Sequence, residues 1–287
     1  MTTIPLREVN VATVRDAIEQ LCLDANYVAA DDVRAAFARA AEREVAKLGQ
    51  RVLLQLLDNM TIAAGERVPM CQDTGTVVVF ASIGQDVHFV GGSLRDAIND
   101  GVRRAYTAGY LRASMVARPI GTRSNTRDNT PAVLHLDIVE GSDVELIVFA
   151  KGGGAENMSR MCMLTPGDGL DGVKDFVIET VEIAGPNACP PVIVGVGVGG
   201  TFDSVGTLAK LSLARQVGSE NPDPELAALE AELLQRINAL GIGPHGFGGR
   251  TTALAVHVAI APTHIASLPV AVNLQCGPAA RVRRLVI

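Results

Sequence analysis

The chain has no tryptophan, and aromatic residues make up only 3% of its 287 residues. A hydrophobic core must therefore be built from Val, Ile, Leu, Ala and Met. Hydrophobic residues reach 48% of the chain, which is enough for a sizeable core. The length fits one large domain or two smaller ones.

The chain also lacks an excess of basic residues and any long apolar run. It carries 25 Lys and Arg against 31 Asp and Glu, a formal net charge of −6. We therefore expect no nucleic-acid partner, because an acidic chain has no broad attraction for phosphate backbones. We also expect no membrane span and no secretory signal, since the first residues lack a basic stretch followed by an apolar core. A cytoplasmic location follows as the expectation.

The cysteines lack the spacing of common thiol motifs. No two of the five form a CxxC pair, which disfavours a zinc knuckle or a thioredoxin-type redox pair. An odd number of cysteines fits a reducing compartment better than a disulfide scaffold. Three of them, Cys71, Cys189 and Cys276, lie in segments typical of turns or strand ends. If these thiolates met in the fold, they could hold an iron–sulfur cluster with one iron open to act as a Lewis acid. The alternatives are a zinc site or cysteines that serve as small buried hydrophobes.

Helical and strand patterns alternate along the chain. Residues 1–60 are predicted to be a helical lead-in, with helices over Val14–Leu23 and Val33–Leu57. We predict a mixed α/β (α+β) fold, with sheets covered by helices, in one compact domain over residues 1–287. Ala132–Val139 and Val144–Ala150 are predicted to form a strand pair. The glycines of Val192–Gly200 lie in a predicted strand and form only a weak dinucleotide fingerprint. Close packing of a helix on this strand explains them better.

The segment CQDTG places chemically useful side chains beside the first cysteine. Gln72 is suited to hydrogen-bonding a substrate carboxylate, and Asp73 to moving a proton. The alternative is that Asp73 only closes a turn. Cys189 precedes a proline, and we therefore expect its backbone to be extended. His264, twelve residues before Cys276, is the best candidate for a functional histidine.

Two further segments offer donors to an anion. The run KGGGAENMS, with Gly153 and Gly154, lets the backbone approach a ligand and present N–H groups, although it is not a P-loop. Its alternative is a tight connection without a ligand. Arg112 and the loop Arg123–Thr130, which contains Asn125 and Asn129, add donors suited to carboxylates. Its alternative is a solvated turn.

Four motifs in order carry a resemblance to a known family. CQDTG, KGGGAENMS, NACPP followed by VGVGVGG, and NLQC lie between about Leu53 and Ala280. Together they resemble the class I (iron–sulfur) fumarate hydratase family, at its N-terminal domain or α subunit, a group that includes the tartrate dehydratase α subunit. The resemblance implies a [4Fe–4S] cluster on Cys71, Cys189 and Cys276. It also implies substrate contacts from Gln72, Arg112, Gly154 and neighbouring Gly153, with Asp73 and His264 as catalytic groups.

The resemblance further implies a hydro-lyase that reversibly hydrates fumarate to L-malate, a reaction of the tricarboxylic acid cycle. We expect a separate β subunit to supply the family's second domain, so that the enzyme is a homo- or hetero-oligomer acting on a small dicarboxylate. Tartrate or another hydroxy-dicarboxylate is the alternative substrate. A hypothesis of another class is a non-catalytic metal-binding or regulatory subunit.

Overall fold

The structure is a computed structural model that describes residues 6–277 and 282–287. It confirms a mixed α/β fold in which helices lie on sheets. The described chain divides into two compact units: unit 1 comprises 6–28, 62–152 and 282–287, and unit 2 comprises 29–61 and 153–277. The single domain over 1–287 stays a prediction, and each unit is described by itself. Ala280, at the end of the resemblance, lies outside the described residues.

The helices and strands alternate along the chain as the patterns predicted. The helices are α1 (Val11–Tyr27), α2 (Asp31–Arg43), α3 (Lys47–Glu66), α4 (Leu94–Ala108), α5 (Gly153–Asn157), α6 (Gly169–Ala184), α7 (Ser204–Ser212) and α8 (Pro224–Ala239). The strands are β1 (Arg7–Asn10), β2 (Thr76–Gly84), β3 (Val87–Val90), β4 (Val133–Val139), β5 (Val144–Lys151), β6 (Arg160–Leu164), β7 (Val192–Gly199), β8 (Ala253–Ala261), β9 (Leu268–Cys276) and β10 (Val282–Val286). None of the helices in the described ranges is both long and apolar enough to cross a membrane.

Unit 1 contains a four-stranded sheet in the order β10-β5-β2-β4, and a short parallel pair of β1 with β3. The predicted pairing of β4 with β5 is wrong, because β2 lies between them, parallel to β4 and antiparallel to β5. The connection from β4 to β5 crosses the end of β2 at Gly84. A Cβ at Gly84 would lie 2.3 Å from the Gly141 carbonyl oxygen, so a side chain there would block the crossing.

Helices α1 and α4 cover one face of the unit 1 sheet. Their buried residues pack on the β-branched side chains of β2 and β5, and the core consists of Val14, Ile18, Ile98, Val102, Val77, Val79, Leu146 and Val148 among others. The two helices approach closely at Gly101, where a Cβ would lie 2.5 Å from the Arg15 carbonyl oxygen. With few aromatic residues available, the core is filled mainly by close packing of small and aliphatic side chains.

Unit 2 contains a second four-stranded sheet in the order β6-β9-β7-β8. Strand β7 runs parallel to β8 and antiparallel to β9. Helices α6 and α8 belong to the large core cluster of this sheet, and α7 packs on the glycines of β7. A Cβ at Gly195 would lie 2.2 Å from the Ala209 carbonyl oxygen, and one at Gly197 would lie 2.5 Å from that of Val205. The glycine spacing therefore serves helix packing, as predicted.

The N-terminal region is mostly helical, but the predicted helix over Val33–Leu57 is two helices. It breaks after Arg43, where Glu44 has an extended backbone conformation (φ −71°, ψ 128°). The buried Glu44 carboxylate accepts hydrogen bonds from the N–H groups of Val45 and Ala46 (2.9 and 3.0 Å) and of Arg250 (2.8 Å). The side chain thus gives the N–H groups of Val45 and Ala46 a partner in place of the helical ones that they lose at the break.

Replacing Gly195 with alanine tests the packing of α7 on β7. The new methyl group would overlap the α7 backbone, and we expect Gly195→Ala to cost about 1–3 kcal/mol of unfolding free energy. Gly206→Ala is the matched control, because a Cβ at Gly206 on the same helix meets nothing within 4 Å. Thermal unfolding should show a lower Tm for Gly195→Ala and an unchanged or higher Tm for Gly206→Ala. Equal Tm values for the two variants would contradict this packing.

Candidate active site

Cys71 is half-buried and lies in the loop that leads into β2. Two residues later, one oxygen of the Asp73 carboxylate accepts a hydrogen bond from the Gly75 N–H (3.1 Å). Gly75 has φ +76°, and a Cβ there would lie 2.6 Å from the Lys151 backbone, so only glycine fits. Asp73 therefore contributes to the turn, and its role in proton transfer stays a prediction.

The turn after Cys71 is held from several sides. The Thr74 hydroxyl donates to the Arg112 carbonyl oxygen (3.1 Å) and accepts from the Arg112 N–H (2.9 Å). The buried Tyr106 hydroxyl donates to the carbonyl oxygens of Thr74 (2.6 Å) and Gly75 (3.2 Å). The structure thus brings the CQDTG turn and Arg112 together within unit 1. The Arg112 side chain is exposed and forms no ion pair within the described ranges.

Asn129 and Asn125 connect backbone segments of the same unit. Asn129 is fully buried; its amide donates to the Gly75 carbonyl oxygen (3.0 Å) and accepts from the Ser114 N–H (2.8 Å). The exposed Asn125 donates to the Ala113 carbonyl oxygen (2.9 Å) and accepts from the Arg127 N–H (2.6 Å). Arg123–Thr130 is therefore an ordered loop whose asparagines make structural hydrogen bonds. Their direct contact with substrate stays a prediction.

Cys189 is exposed and follows a 3₁₀ turn, Gly185–Ala188, that leads into β7. Its expected extended backbone is wrong: φ is +54° and ψ is +62°, the left-handed region. The physical reason is that its N–H closes the turn by donating to the Pro186 carbonyl oxygen (3.0 Å). A non-glycine residue in this region is uncommon and persists where its surroundings impose it.

Strand pairing places the third cysteine at the same end of the unit 2 sheet as Cys189. Cys276 is the last residue of β9, and it pairs with Val192, the first residue of β7 and three residues after Cys189. The next residue, Gly277, donates its N–H to the Pro191 carbonyl oxygen (2.8 Å). Cys71 belongs to unit 1. Within residues 6–277 and 282–287, no group of three His, Cys, Asp or Glu side chains is arranged to hold a metal ion.

The donor chemistry of these three residues nevertheless fits an iron–sulfur cluster. None of them forms a disulfide, and none is fully buried. Cys22 differs, because it is fully buried on α1 and burial raises its pKa to about 12. Cys162 lies within β6 and pairs with Val270 of the neighbouring strand β9.

The glycine-rich segment forms the short helix α5 and is attached to β9. Gly153 and Gly154 are exposed at its start. The Glu156 carboxylate accepts hydrogen bonds from Lys210 and from the Asn273 amide (2.8 Å for Asn273), and the Ser159 hydroxyl accepts from the Leu274 N–H (3.0 Å). The sequence analysis missed Lys210 and Asn273, because partners so distant in the chain leave no local signal.

His264 lies at the other end of the unit 2 sheet. It is exposed in the turn between β8 and β9, where its Nδ1 accepts from the Ala266 N–H (3.1 Å). The adjacent Thr263 hydroxyl donates to the Gly200 carbonyl oxygen (2.9 Å). Gly200 is eight residues after Val192, the residue of β7 that pairs with Cys276. At about 3.3 Å per residue, this separates His264 from Cys276 by roughly 26 Å. A catalytic role for His264 stays a prediction.

The histidine at the cysteine end of this sheet is His245. His245 lies in the loop before β8 with φ +50°, and its backbone N–H donates to the Pro190 carbonyl oxygen (2.7 Å). This position depends on a contact between two loops that are distant in the chain.

The sequence of the chain matches one family model and several curated proteins. The family model described as "Fumarate hydratase (Fumerase)" matches residues 15–285. A Methanocaldococcus jannaschii protein named "Putative L(+)-tartrate dehydratase subunit alpha" is 40% identical over 269 residues, which is 92% of this chain and 94% of the relative. The "L(+)-tartrate dehydratase subunit alpha" of Escherichia coli (strain K12) is 33% identical over 248 residues, 86% and 82% of the two chains.

These matches support a hydro-lyase α subunit. The chain belongs to the class I fumarate hydratase family, as the sequence motifs indicated.

Thiol labelling of the metal-free chain tests the different environments of the cysteines. We expect iodoacetamide at pH 8 to alkylate the exposed Cys189 rapidly and to leave Cys22 unmodified, since Cys22 is buried and its raised pKa keeps the thiol protonated. Peptide mass spectrometry after timed quenching gives the extent at each site. In urea both residues should react, which controls for peptide recovery. Fast native labelling of Cys22 would contradict the described packing of α1.

Proposed function

We propose that this chain is the α subunit of an iron–sulfur hydro-lyase that, together with a β subunit, reversibly hydrates fumarate to L-malate. The observation that carries the proposal is the family match over residues 15–285, which includes every candidate ligand. The β partner is proposed because the curated relatives are named as α subunits. We also propose the cytoplasm as its location, from the cysteine composition.

The proposed cofactor is a [4Fe–4S] cluster held by Cys71, Cys189 and Cys276. Its support is the donor chemistry of three accessible thiols, together with the pairing that sets Cys189 and Cys276 at one end of a sheet. When bound, the cluster supplies a Lewis acid that can polarise a substrate oxygen and lower the pKa of water. The described residues are assigned the remaining tasks of binding, orientation and proton transfer.

Three groups are proposed to bind the substrate carboxylates. Arg112 has an exposed guanidinium, and its backbone is fixed by Thr74 beside the CQDTG turn. Gln72 lies in that turn next to Cys71. Gly154, with Gly153 beside it, is proposed to let a ligand approach the backbone. In support, a Cβ at Gly154 would meet only the Asn187 carbonyl oxygen at 3.5 Å, so packing alone does not require glycine there.

Asp73 is proposed to transfer the proton, with Asn129 as a residue that positions it. Asn129 donates to the carbonyl oxygen of Gly75, the residue whose N–H the Asp73 carboxylate accepts. Burial of Asn129 and its two backbone contacts would keep the turn in one geometry. Asn125 is proposed to hold the neighbouring loop in the same way.

L(+)-tartrate is the second candidate substrate, because the curated relatives carry the name of tartrate dehydratase α subunits. The glycine-rich segment KGGGAENMS favours fumarate, since it resembles the fumarase form of this motif. The two candidate reactions share their chemistry, because in each a hydroxy-dicarboxylate loses or gains water. The ratio of kcat/KM for L-malate and L(+)-tartrate with the β subunit present decides between them. A non-catalytic regulatory role is not favoured by the family match.

The substitution Asp73→Asn tests the proton-transfer role. We expect the reconstituted complex to lose at least about 100-fold in kcat, which is typical when a general acid or base is removed, while the visible cluster absorption is retained. Asp58→Asn, an exposed carboxylate on α3, is the matched control and should keep full activity. If Asp73→Asn keeps its turnover, Asp73 is not the proton-transfer group. If it loses the cluster as well, its role is structural.

A further inference from the structure

Strand β4 forms an open edge of the unit 1 sheet. It pairs only with β2, and its other side carries no strand in the part of the chain that the structure describes. The strand is seven residues long, contains no proline and is rich in apolar residues. Leu136 is 54% exposed and Ile138 is 75% exposed. Proteins usually shorten, charge or cover such an edge, because it readily pairs with another strand.

The register of β2 with β4 shows which backbone groups are directed outward. The Gln85 N–H donates to the Val139 carbonyl oxygen (2.8 Å), so the peptide groups of Val139 face β2. Because these groups alternate along a strand, those of His135 and Asp137 also face β2. The N–H and C=O groups of Leu134, Leu136 and Ile138 are therefore directed away from the sheet.

We propose that β4 pairs antiparallel with β4 of a second copy of this chain, about a twofold axis at Leu136. In this register Leu136 lies opposite its own copy, and Leu134 lies opposite Ile138. All three are residues with outward peptide groups, so each pairing can exchange two backbone hydrogen bonds. The two sheets then form one continuous eight-stranded sheet.

The charges of the strand select this register and this partner. His135 lies opposite Asp137 of the copy on one face, and the twofold axis repeats the pair, so both polar residues gain a complementary neighbour. A register centred on Asp137 would also pair outward peptide groups, those of Leu136 with Ile138, but it would place two carboxylates opposite each other. In the register centred on Leu136, every apolar residue of β4 lies opposite another apolar residue. A strand that complements itself in hydrogen bonds, charge and side-chain type fits a second copy of itself.

Light scattering coupled to size-exclusion chromatography measures the association of the full chain, alone and with the β subunit. We expect a dimer of this chain in wild type, and self-association weakened about tenfold or more in Leu136→Lys, because two lysines would meet at the axis. Ile120→Lys is the matched control, since Ile120 is 80% exposed in a loop of the same unit. It should remain dimeric. Unchanged thermal unfolding would establish that Leu136→Lys is folded.

Cysteine cross-linking tests the axis directly. In the proposed register the two Leu136 Cα atoms are about 5.5 Å apart, within the range that a disulfide spans. Leu136→Cys should give a 136–136 cross-link by peptide mass spectrometry. Ile138→Cys should give no 138–138 cross-link, because its two copies are about 14 Å apart.

Three outcomes would overturn the proposal. The first is a wild-type chain that stays monomeric both alone and with the β subunit. The second is a dimer that survives Leu136→Lys and gives no 136–136 cross-link. The third is loss of β-subunit binding, without any effect on self-association, in Leu136→Lys. That result would assign the edge to the β subunit.

Discussion

The antiparallel pairing of β7 with β9 is the interaction on which the candidate site in unit 2 depends. Its register sets Cys276 opposite Val192, and so brings two proposed ligands that are distant in the chain to one end of one sheet. The glycines of β7 allow α7 to pack on this sheet, and Lys210 of α7 reaches Glu156 beside the glycine-rich segment. A shift of one residue in the register would reverse the face of every side chain on β9.

Unit 1 holds its candidate residues by a different means. There, side chains donate hydrogen bonds to the backbone carbonyl oxygens of the turn after Cys71. The buried Tyr106 donates to the carbonyl oxygens of Thr74 and Gly75, and the buried Asn129 donates to that of Gly75. The turn therefore cannot move without leaving buried polar groups unpaired. Such preorganisation is what a group that must transfer a proton at a fixed position requires.

The sequence was sufficient for the elements with strong local signals. Strands β4, β5 and β7 were all predicted at nearly their observed positions. The pairing of β4 was not, because it depends on Gly84 letting the chain cross a strand end. The left-handed backbone of Cys189 and the separation of His264 from Cys276 likewise depend on turn closure and strand direction, which a linear motif does not contain.

The cluster on three cysteines is the central claim, and metal analysis tests it most directly. The chain, purified without oxygen in complex with its β subunit, should contain about four iron and four acid-labile sulfide per chain. Cys189→Ser and Cys276→Ser should each lose most of both, and Cys162→Ser should retain them. Stoichiometric zinc without sulfide, or a full cluster in Cys276→Ser, would contradict the account.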